Sequence, residues 1–389
     1  MMKRKIAVKG FNLVEVSVII VASCIISALV VGTVISNNYR TNFGVTYRDL
    51  LNDENIKDFL NVYSEVSSDY YENVDKSKVI DSAINGIMSY LGDKYSSYLD
   101  SSDTKNLTDK LSGTYKGIGI SIDANGKIID VMEDTPAEKA GIKKDDIITS
   151  INDITIDSNN ASSLTNYIKD TDSFVDLVVQ RGNESLSFKV EISNIIAQSI
   201  TANVIENNNK RIGYIYIEAF STTLSTQVER ALNKMGNIDS LIIDVRDNGG
   251  GYLKAATDTA NIFLDKGQIV YSLESKNEIK VYFDETQQKT TYPIVVLINN
   301  GSASASEILA AALKDSYNAI LVGNKSYGKG LVQVTYKMED GSMVKYSSAK
   351  WLRPNGECVE GNGIVPDYVI DNNNKDAQIS KAIEILSNM

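Results

Sequence analysis

Five short runs of nearly unbroken apolar residues constrain the second half of this chain more than any other feature: Ile212 to Ile217, Leu241 to Val245, Ile294 to Ile298, Ala319 to Val322 and Leu331 to Tyr336. A strand that alternates apolar and polar residues can leave one face in water. Apolar segments of this kind, spaced by helical stretches, are instead the mark of an α/β core. Amphipathic stretches lie between them, notably Leu253 to Leu264 and Ala305 to Lys314, so the segment from Arg211 onward is predicted to be an α/β unit.

The rest of the chain reads differently. From Gly113 to about Ile192, short alternating segments are separated by Gly and Asn-Gly turns such as Asn125-Gly126, which predicts a small β-rich module. Within it, Thr135-Pro136-Ala137-Glu138 has the form of a capping box with proline at the first helical position, and Gly141 follows as a stop. A second helix is predicted over Ala161 to Lys169. From Tyr47 to about Leu111 the rhythm is helical, with Val79, Ile80, Ala83, Ile84, Ile87 and Met88 on one face, suited to packing or subunit contact. A length of 389 residues fits two or three folded units plus an appendage.

The appendage is the N-terminus. Lys3, Arg4, Lys5 and Lys9 precede an apolar stretch from Val16 to Ile35 that is long enough to cross a bilayer as one helix. The charge bias places the N-terminus inside and everything after Ser36 outside. An uncleaved, single-pass anchor in the cell membrane, with the folded part extracytoplasmic, is the leading expectation. Two alternatives stay open. Lys9-Gly10-Phe11-Asn12-Leu13-Val14-Glu15 resembles a prepilin processing site, and Val21-Ala22-Ser23-Cys24 loosely resembles a lipobox.

Composition removes whole classes of function. A formal net charge of -11 disfavours nucleic acid, whose phosphates need a surplus of Lys and Arg. Cys24 and Cys358 are placed so that a bridge between them is implausible. The chain contains no histidine, which eliminates every Ser-His-Asp or Cys-His arrangement and the commonest zinc ligand. No metal or cofactor is expected.

Three segments of the α/β unit carry chemistry. In Asp244-Val245-Arg246-Asp247-Asn248-Gly249-Gly250-Gly251 a strand runs through three glycines into a helix, exposing amides suited to an anion or oxyanion, although a plain turn reads the same way. Asn300-Gly301-Ser302-Ala303-Ser304-Ala305-Ser306-Glu307 lies between a strand and a helix, a good place for a nucleophilic serine. Ser304 and Glu307 also have capping-box spacing, and taken in isolation this segment reads first as a helix start. Gly323-Asn324-Lys325-Ser326-Tyr327-Gly328-Lys329-Gly330 is a near miss to a phosphate-binding loop, with Gly330 where a magnesium-holding hydroxyl is needed. The flanking apolar strands predict that Lys329 is drawn inward, and the glycines let backbone pack around it. With no histidine available, a lysine whose charge is disfavoured by burial can deprotonate a serine.

Together these segments resemble the C-terminal processing peptidases, or tail-specific proteases. The resemblance extends from the helical region to the final Ala349-Lys350-Trp351 and Gly363-Ile364-Val365-Pro366-Asp367 blocks. It implies an α/β protease core of the ClpP/crotonase-like class with an inserted small β-rich PDZ domain, an N-terminal helical region and one transmembrane helix. The expected boundaries are 1–40 for cytoplasmic tail and anchor, 41–112 for the helical region, 113–192 for the PDZ domain and 193–389 for the core. By the same resemblance Ser304 is the nucleophile, Lys329 the general base, Gln333 its orienting partner and Asp315 a supporting acid. Gly250 and Ala305 are expected to supply the oxyanion amides. Gly249 departs from the family, which usually has proline there.

Lys116-Gly117-Ile118-Gly119-Ile120 resembles a PDZ carboxylate-binding loop, with Gly117, Ile118, Gly119 and Ile120 as substrate-binding residues. The expected substrates are proteins or peptides with free C-terminal carboxylates, the expected membrane contact is through residues 16–35, and a homo-oligomer is compatible. The alternative is a catalytically silent PDZ scaffold.

Overall fold

The computed structural model describes residues 47–157, 160–169, 171–287, 291–371 and 374–389. The predicted anchor at residues 16–35, the prepilin-like site and Cys24 lie outside them. Among the described residues no helix is long and apolar enough to cross a membrane. The chain divides into two compact units at Ile84/Asn85.

The first unit is helical. It holds α1 (Tyr47–Asn52), α2 (Glu54–Asp69) and the start of α3 (Lys76–Tyr90). Asp53 begins α2 by accepting from the amides of Asn55 and Ile56, which satisfies donors that the first turn leaves without partners.

The second unit begins late in α3. Gly92 takes a φ of 61°, and the chain continues into β1 (Ser97–Leu99) and α4 (Ser101–Ser112), which Asp100 caps and Gly113 ends at a φ of 67°. Then come β2 (Thr114–Gly117), β3 (Ile120–Ile122), β4 (Ile128–Val131), α5 (Pro136–Ala140), β5 (Ile147–Ile151), β6 (Ile154–Thr155), a 3-10 turn at Ala161–Ser163, α6 (Leu164–Lys169), β7 (Phe174–Arg181), β8 (Glu184–Glu191) and β9 (Ser193–Ile196). These form the small β-rich module, with β3 on β4 and a sheet in the order β6-β5-β7-β8. Ile118, Ile128, Ile148, Leu164, Val175, Leu177 and Val179 fill its core. Its entering and leaving chains pair as one antiparallel ribbon, β2 on β9, from Thr114↔Ile196 to Gly117↔Ser193. The helix at Pro136 forms as predicted, but not through the expected cap. Thr135 Oγ1 donates to the Met132 carbonyl (2.7 Å) and Glu138 Oε2 accepts from the Asp134 amide (2.7 Å), because Asp134 sits at a φ of 62° and turns its own N–H toward the glutamate.

The α/β unit follows: β10 (Ile200–Asn207), β11 (Lys210–Ile217), α7 (Leu224–Met235), β12 (Ser240–Asp244), α8 (Leu253–Ala260), β13 (Ile269–Ser275), β14 (Ile279–Phe283), β15 (Ile294–Ile298), α9 (Ala305–Asp315), β16 (Ile320–Gly323), β17 (Leu331–Lys337), β18 (Met343–Leu352), β19 (Tyr368–Val369) and α10 (Lys375–Ser387). Six strands order as β10-β11-β12-β15-β16-β19, parallel except for β10. The two faces bury alternate residues. Leu241, Ile243, Val245, Val296 and Ile298 join one core, and Ile242, Val295 and Leu297 join the other beside Ala382, Ile385 and Leu386 of α10. Burial of that kind is why these strands read as continuous apolar runs. A second sheet orders as β1-β18-β13-β14, with β17 also on β18.

Because β12, β15 and β16 are adjacent and parallel, their carboxyl ends share one edge of the sheet. The three chemistry-bearing segments leave from those ends, the usual place for a site in an α/β fold.

Candidate active site

The turn after β15 holds three serines, and their surroundings separate them. Ser302 and Ser306 are fully buried, and their hydroxyls donate to the carbonyls of Val245 and Asn248, each at 2.8 Å. They bind this turn to the glycine turn after β12. Ser304 is only partly buried and takes a φ of 57° and ψ of -115°, a conformation costing a non-glycine residue about 1–3 kcal/mol. Strain at a strand-to-helix turn is how a hydroxyl is pushed out of the core toward a substrate.

Glu307, three residues on, is fully buried and holds the site together. Its Oε2 accepts from the amides of Ser304 (2.8 Å) and Lys329 (2.9 Å), and its Oε1 from Ser326 Oγ (2.6 Å) and the Gly328 amide (2.7 Å). One carboxylate thus fastens the main chains on which the predicted nucleophile and base are carried. It lies in the first turn of α9, where the helix dipole favours negative charge. Sequence spacing presents Glu307 only as a capping residue, since nothing local reveals that a loop 22 positions away converges on the same oxygens.

Lys329 is drawn inward as predicted. Gly328 has a φ of 87°, and a Cβ there would lie 2.8 Å from the Gly363 amide nitrogen. A Cβ on Gly330 would lie 2.5 Å from the Glu360 nitrogen. Both glycines are needed for the backbone to approach so closely. Buried Trp351 donates its indole N–H to the Lys329 carbonyl (2.8 Å). The amine donates to Gln333 Oε1 (3.2 Å) and lies 4.9 Å from the centre of the Tyr95 ring. Burial first, and then the like charge of Lys345, push its pKa below the usual lysine range, against the opposing pull of Asp93, Glu360 and Glu307. Among the described residues no hydrogen bond joins this amine to Ser304 Oγ.

The glycine turn lies against the serine: a Cβ on Gly250, whose φ is 98°, would meet Ser304 Cβ and the Ala305 nitrogen at 3.0 Å each. The Gly250 amide itself donates to Asn248 Oδ1 (2.8 Å), so this predicted oxyanion donor is engaged within its own turn. Asn248 is buried and also donates to the Ile217 carbonyl (2.7 Å). Ala305 is buried as the first residue of α9. A Cβ at Gly249 would meet nothing within 4 Å, consistent with a position that has room for a ring.

Residues 211–370 match the family described as Peptidase family S41. Over 376 residues the chain is 34% identical to "Probable CtpA-like serine protease" of Staphylococcus epidermidis, covering 94% of this chain and 74% of that one. The chain belongs to peptidase family S41. It is a serine peptidase of the C-terminal-processing type. A second S41 relative, "Probable CtpA-like serine protease" of Staphylococcus aureus strain COL, is 37% identical over 330 residues, 82% of this chain and 65% of that one. Residues 110–192 match the PDZ domain, and residues 35–103 match the family described as "Activating protease CtpB N-terminal domain". The solved photosystem II D1 C-terminal processing protease shares the S41 fold at a TM-score of 0.50 and 23% identity, over 87% of this chain and 92% of that one.

The other predicted site residues of this S41 peptidase are distributed unevenly. Asp315 ends α9, about 15 Å along the helix from Ala305. Its carboxylate holds Arg353 at 3.0 and 2.7 Å rather than either reacting group. In the PDZ domain Gly117 belongs to the β2–β9 ribbon, and Gly119, at a φ of 87°, packs against Thr135. Ile118 is 1% exposed, with its carbonyl accepting from the Ala137 amide, so its side chain belongs to the domain core. Ile120 opens β3 and is partly buried.

Sequence reasoning passed over the segment Asp93 to Ser97, which lies inside the predicted helical region. Gln333 Nε2 donates to the Tyr95 carbonyl, 238 residues earlier in the chain. A local signal existed: Gly92 breaks the helical rhythm, and Tyr95-Ser96-Ser97-Tyr98 favours extended backbone.

Proposed function

We propose that Ser304 is the nucleophile of this S41 peptidase and Lys329 its general base, acting on protein substrates whose C-terminal tails the PDZ domain holds. The observation that carries this reading is the buried Glu307 carboxylate, which accepts from the amides of both residues and so fixes their separation. The neutral Lys329 amine takes the proton of Ser304 as Oγ bonds to the scissile carbonyl carbon, forming a tetrahedral oxyanion and an ammonium. The ammonium then protonates the leaving amine as the C–N bond breaks, leaving an acyl-serine. Water attacks that ester as the amine again removes a proton, and the C–Oγ bond then breaks as the ammonium returns the proton to Ser304 Oγ and the carboxylic acid product leaves. The amide of Ala305, next to the nucleophile, supports the oxyanion, and that of Gly250 joins it once released from Asn248.

Ser304→Ala and Lys329→Ala are each expected to lower cleavage of an unfolded substrate bearing a free C-terminal carboxylate by at least about 1,000-fold. Cleavage retained in either would remove the dyad. Tail recognition is assigned to the loop and strand at Gly117 to Ile120, where backbone amides meet a carboxylate and a strand edge accepts an extended peptide.

Both connections to the PDZ domain run through the β2–β9 ribbon, which supports reading the domain as a gate whose capture of a tail adjusts the site. A chain lacking residues 113–192 should lose tail-dependent cleavage. Anchoring through residues 16–35, with the catalytic part outside, is supported by Lys3, Arg4, Lys5 and Lys9 ahead of the apolar run. Release of the full chain from membranes by high salt would contradict it.

A further inference from the structure

The reacting amine and its orienting glutamine are held from outside the α/β unit by residues 93–97. Gln333 on β17 faces Ser347 on β18 across the ladder, and both are tied to this segment. Gln333 Nε2 donates to the Tyr95 carbonyl, and the Ser347 amide donates to Ser96 Oγ (3.1 Å). The segment is itself fixed. Asp93 accepts from the Tyr95 amide (3.0 Å) and from Ser96 Oγ (2.6 Å), and β1 pairs with β18 from Ser97↔Lys345 to Leu99↔Met343.

We propose that Tyr95 is a positioning residue of the hydrolytic reaction: its carbonyl sets the Gln333 amide, and its ring covers the Lys329 amine. This rests on the Ser304–Lys329 reading. A glutamine amide has one accepting and one donating end, and the wrong end would repel the lysine ammonium or donate into the lone pair with which the neutral amine takes the serine proton. The Tyr95 carbonyl can only accept, so it takes Nε2 and leaves Oε1 for the amine. At 4.9 Å the ring face attracts the ammonium that forms when the proton leaves Ser304, and it has little attraction for the neutral amine. The ring thereby favours the product of proton transfer over its reactant.

The ring forms one wall of a cleft of about 550 Å³ shared with Leu331, Ser347 and Glu360. Lys345, Asp93, Glu360 and Glu307 are the charged groups acting on Lys329, and Lys94 lies over the Tyr95 and Tyr327 rings at 4.8 and 5.4 Å. The Tyr95 hydroxyl interacts with Lys94 and Tyr327 rather than with Lys329 or Gln333, so the ring and the carbonyl carry the role.

The test uses the full chain and a peptide substrate with a free C-terminal carboxylate, measuring kcat and KM across pH for Tyr95→Leu, Tyr95→Phe, Ser304→Ala and Lys329→Ala. Leucine keeps apolar bulk but has no ring face. Tyr95→Leu is expected to lower kcat at least about tenfold with KM within about twofold. Loss of the attraction for the ammonium lowers the pKa of the amine, so the acidic limb of the kcat profile moves to lower pH. Tyr95→Phe is expected to restore both kcat and the limb. A limb that does not move in Tyr95→Leu, a loss confined to KM, or a phenylalanine variant as impaired as leucine would overturn the proposal. Inactive Ser304→Ala and Lys329→Ala alongside an unaffected Tyr95→Leu would refute the role of Tyr95 and leave the dyad intact, whereas an active Lys329→Ala would refute the dyad. Thermal melts check folding, and Tyr95→Met supplies the same comparison if the leucine variant does not fold.

Discussion

Both ends of α9 carry a carboxylate, and the two do different work. At its start, Glu307 is fully buried, has no cation as hydrogen-bond partner, and accepts from four donors, two of them the amides of Ser304 and Lys329. At its end, Asp315 forms a two-pronged ion pair with Arg353, which also holds Glu357. Arg353 follows the end of β18, the strand that places Trp351 against the Lys329 carbonyl. Asp315 therefore fastens Arg353 beyond the end of that strand, whereas Glu307 bonds directly to the main chains of both Ser304 and Lys329. Family resemblance drew attention to the acid at the far end, and the buried hydrogen bonds make the nearer one the organiser.

The largest expected effect tests that asymmetry. Glu307→Ala leaves four donors without their acceptor, so chemical denaturation should show a loss of more than about 3 kcal/mol and peptidase assays a fall beyond about 100-fold. Near-normal activity in a folded Glu307→Ala protein would break the comparison.

Asp315→Ala is expected to lower kcat by about tenfold by loosening the β18 exit, with a smaller stability loss and no movement of the acidic limb. A moved limb would place Asp315 in electrical contact with the base and erase the distinction.

Lys345→Met sharpens the electrostatic side. Lys345 is a like charge that lowers the Lys329 pKa. Removing it should raise that pKa and move the acidic limb of the kcat profile to higher pH, with the plateau little changed. A shift to lower pH would contradict the sign.

The smallest effect is expected far from α9. Glu133→Gln breaks an exposed 2.8 Å pair with Lys234 between the PDZ domain and the core, and thermal melts should not register it.

Much of this was legible in the sequence. The strand runs at Leu241 and Ile294 appeared where predicted because residues buried on both faces have no freedom to be polar. Lys329 was recognisable as inward because apolar strands flank it, and the glycines on each side do have backbone packed against them. The cap of α5 was misread because Thr135 and Glu138 have the right spacing, while the positive φ of Asp134 redirects the glutamate to a different amide. Gly250 was recognisable as a turn residue, but its capture by Asn248 depends on a side-chain rotamer that spacing does not specify.

What the sequence by itself determined is the α/β unit and the inserted β-rich module, because apolar periodicity and glycine placement are local facts, while the lack of histidine narrowed the chemistry and the resemblance of the motifs to a known family supplied its class. Only the tertiary structure decided that Glu307 joins the serine and lysine turns, that Asp315 pairs with Arg353, and that Tyr95 closes over the amine. Each of these is a contact between segments far apart along the chain, made when parallel strands deliver their ends to one edge and an edge strand folds back beside them, and no local pattern encodes which distant atom will fill a hydrogen bond.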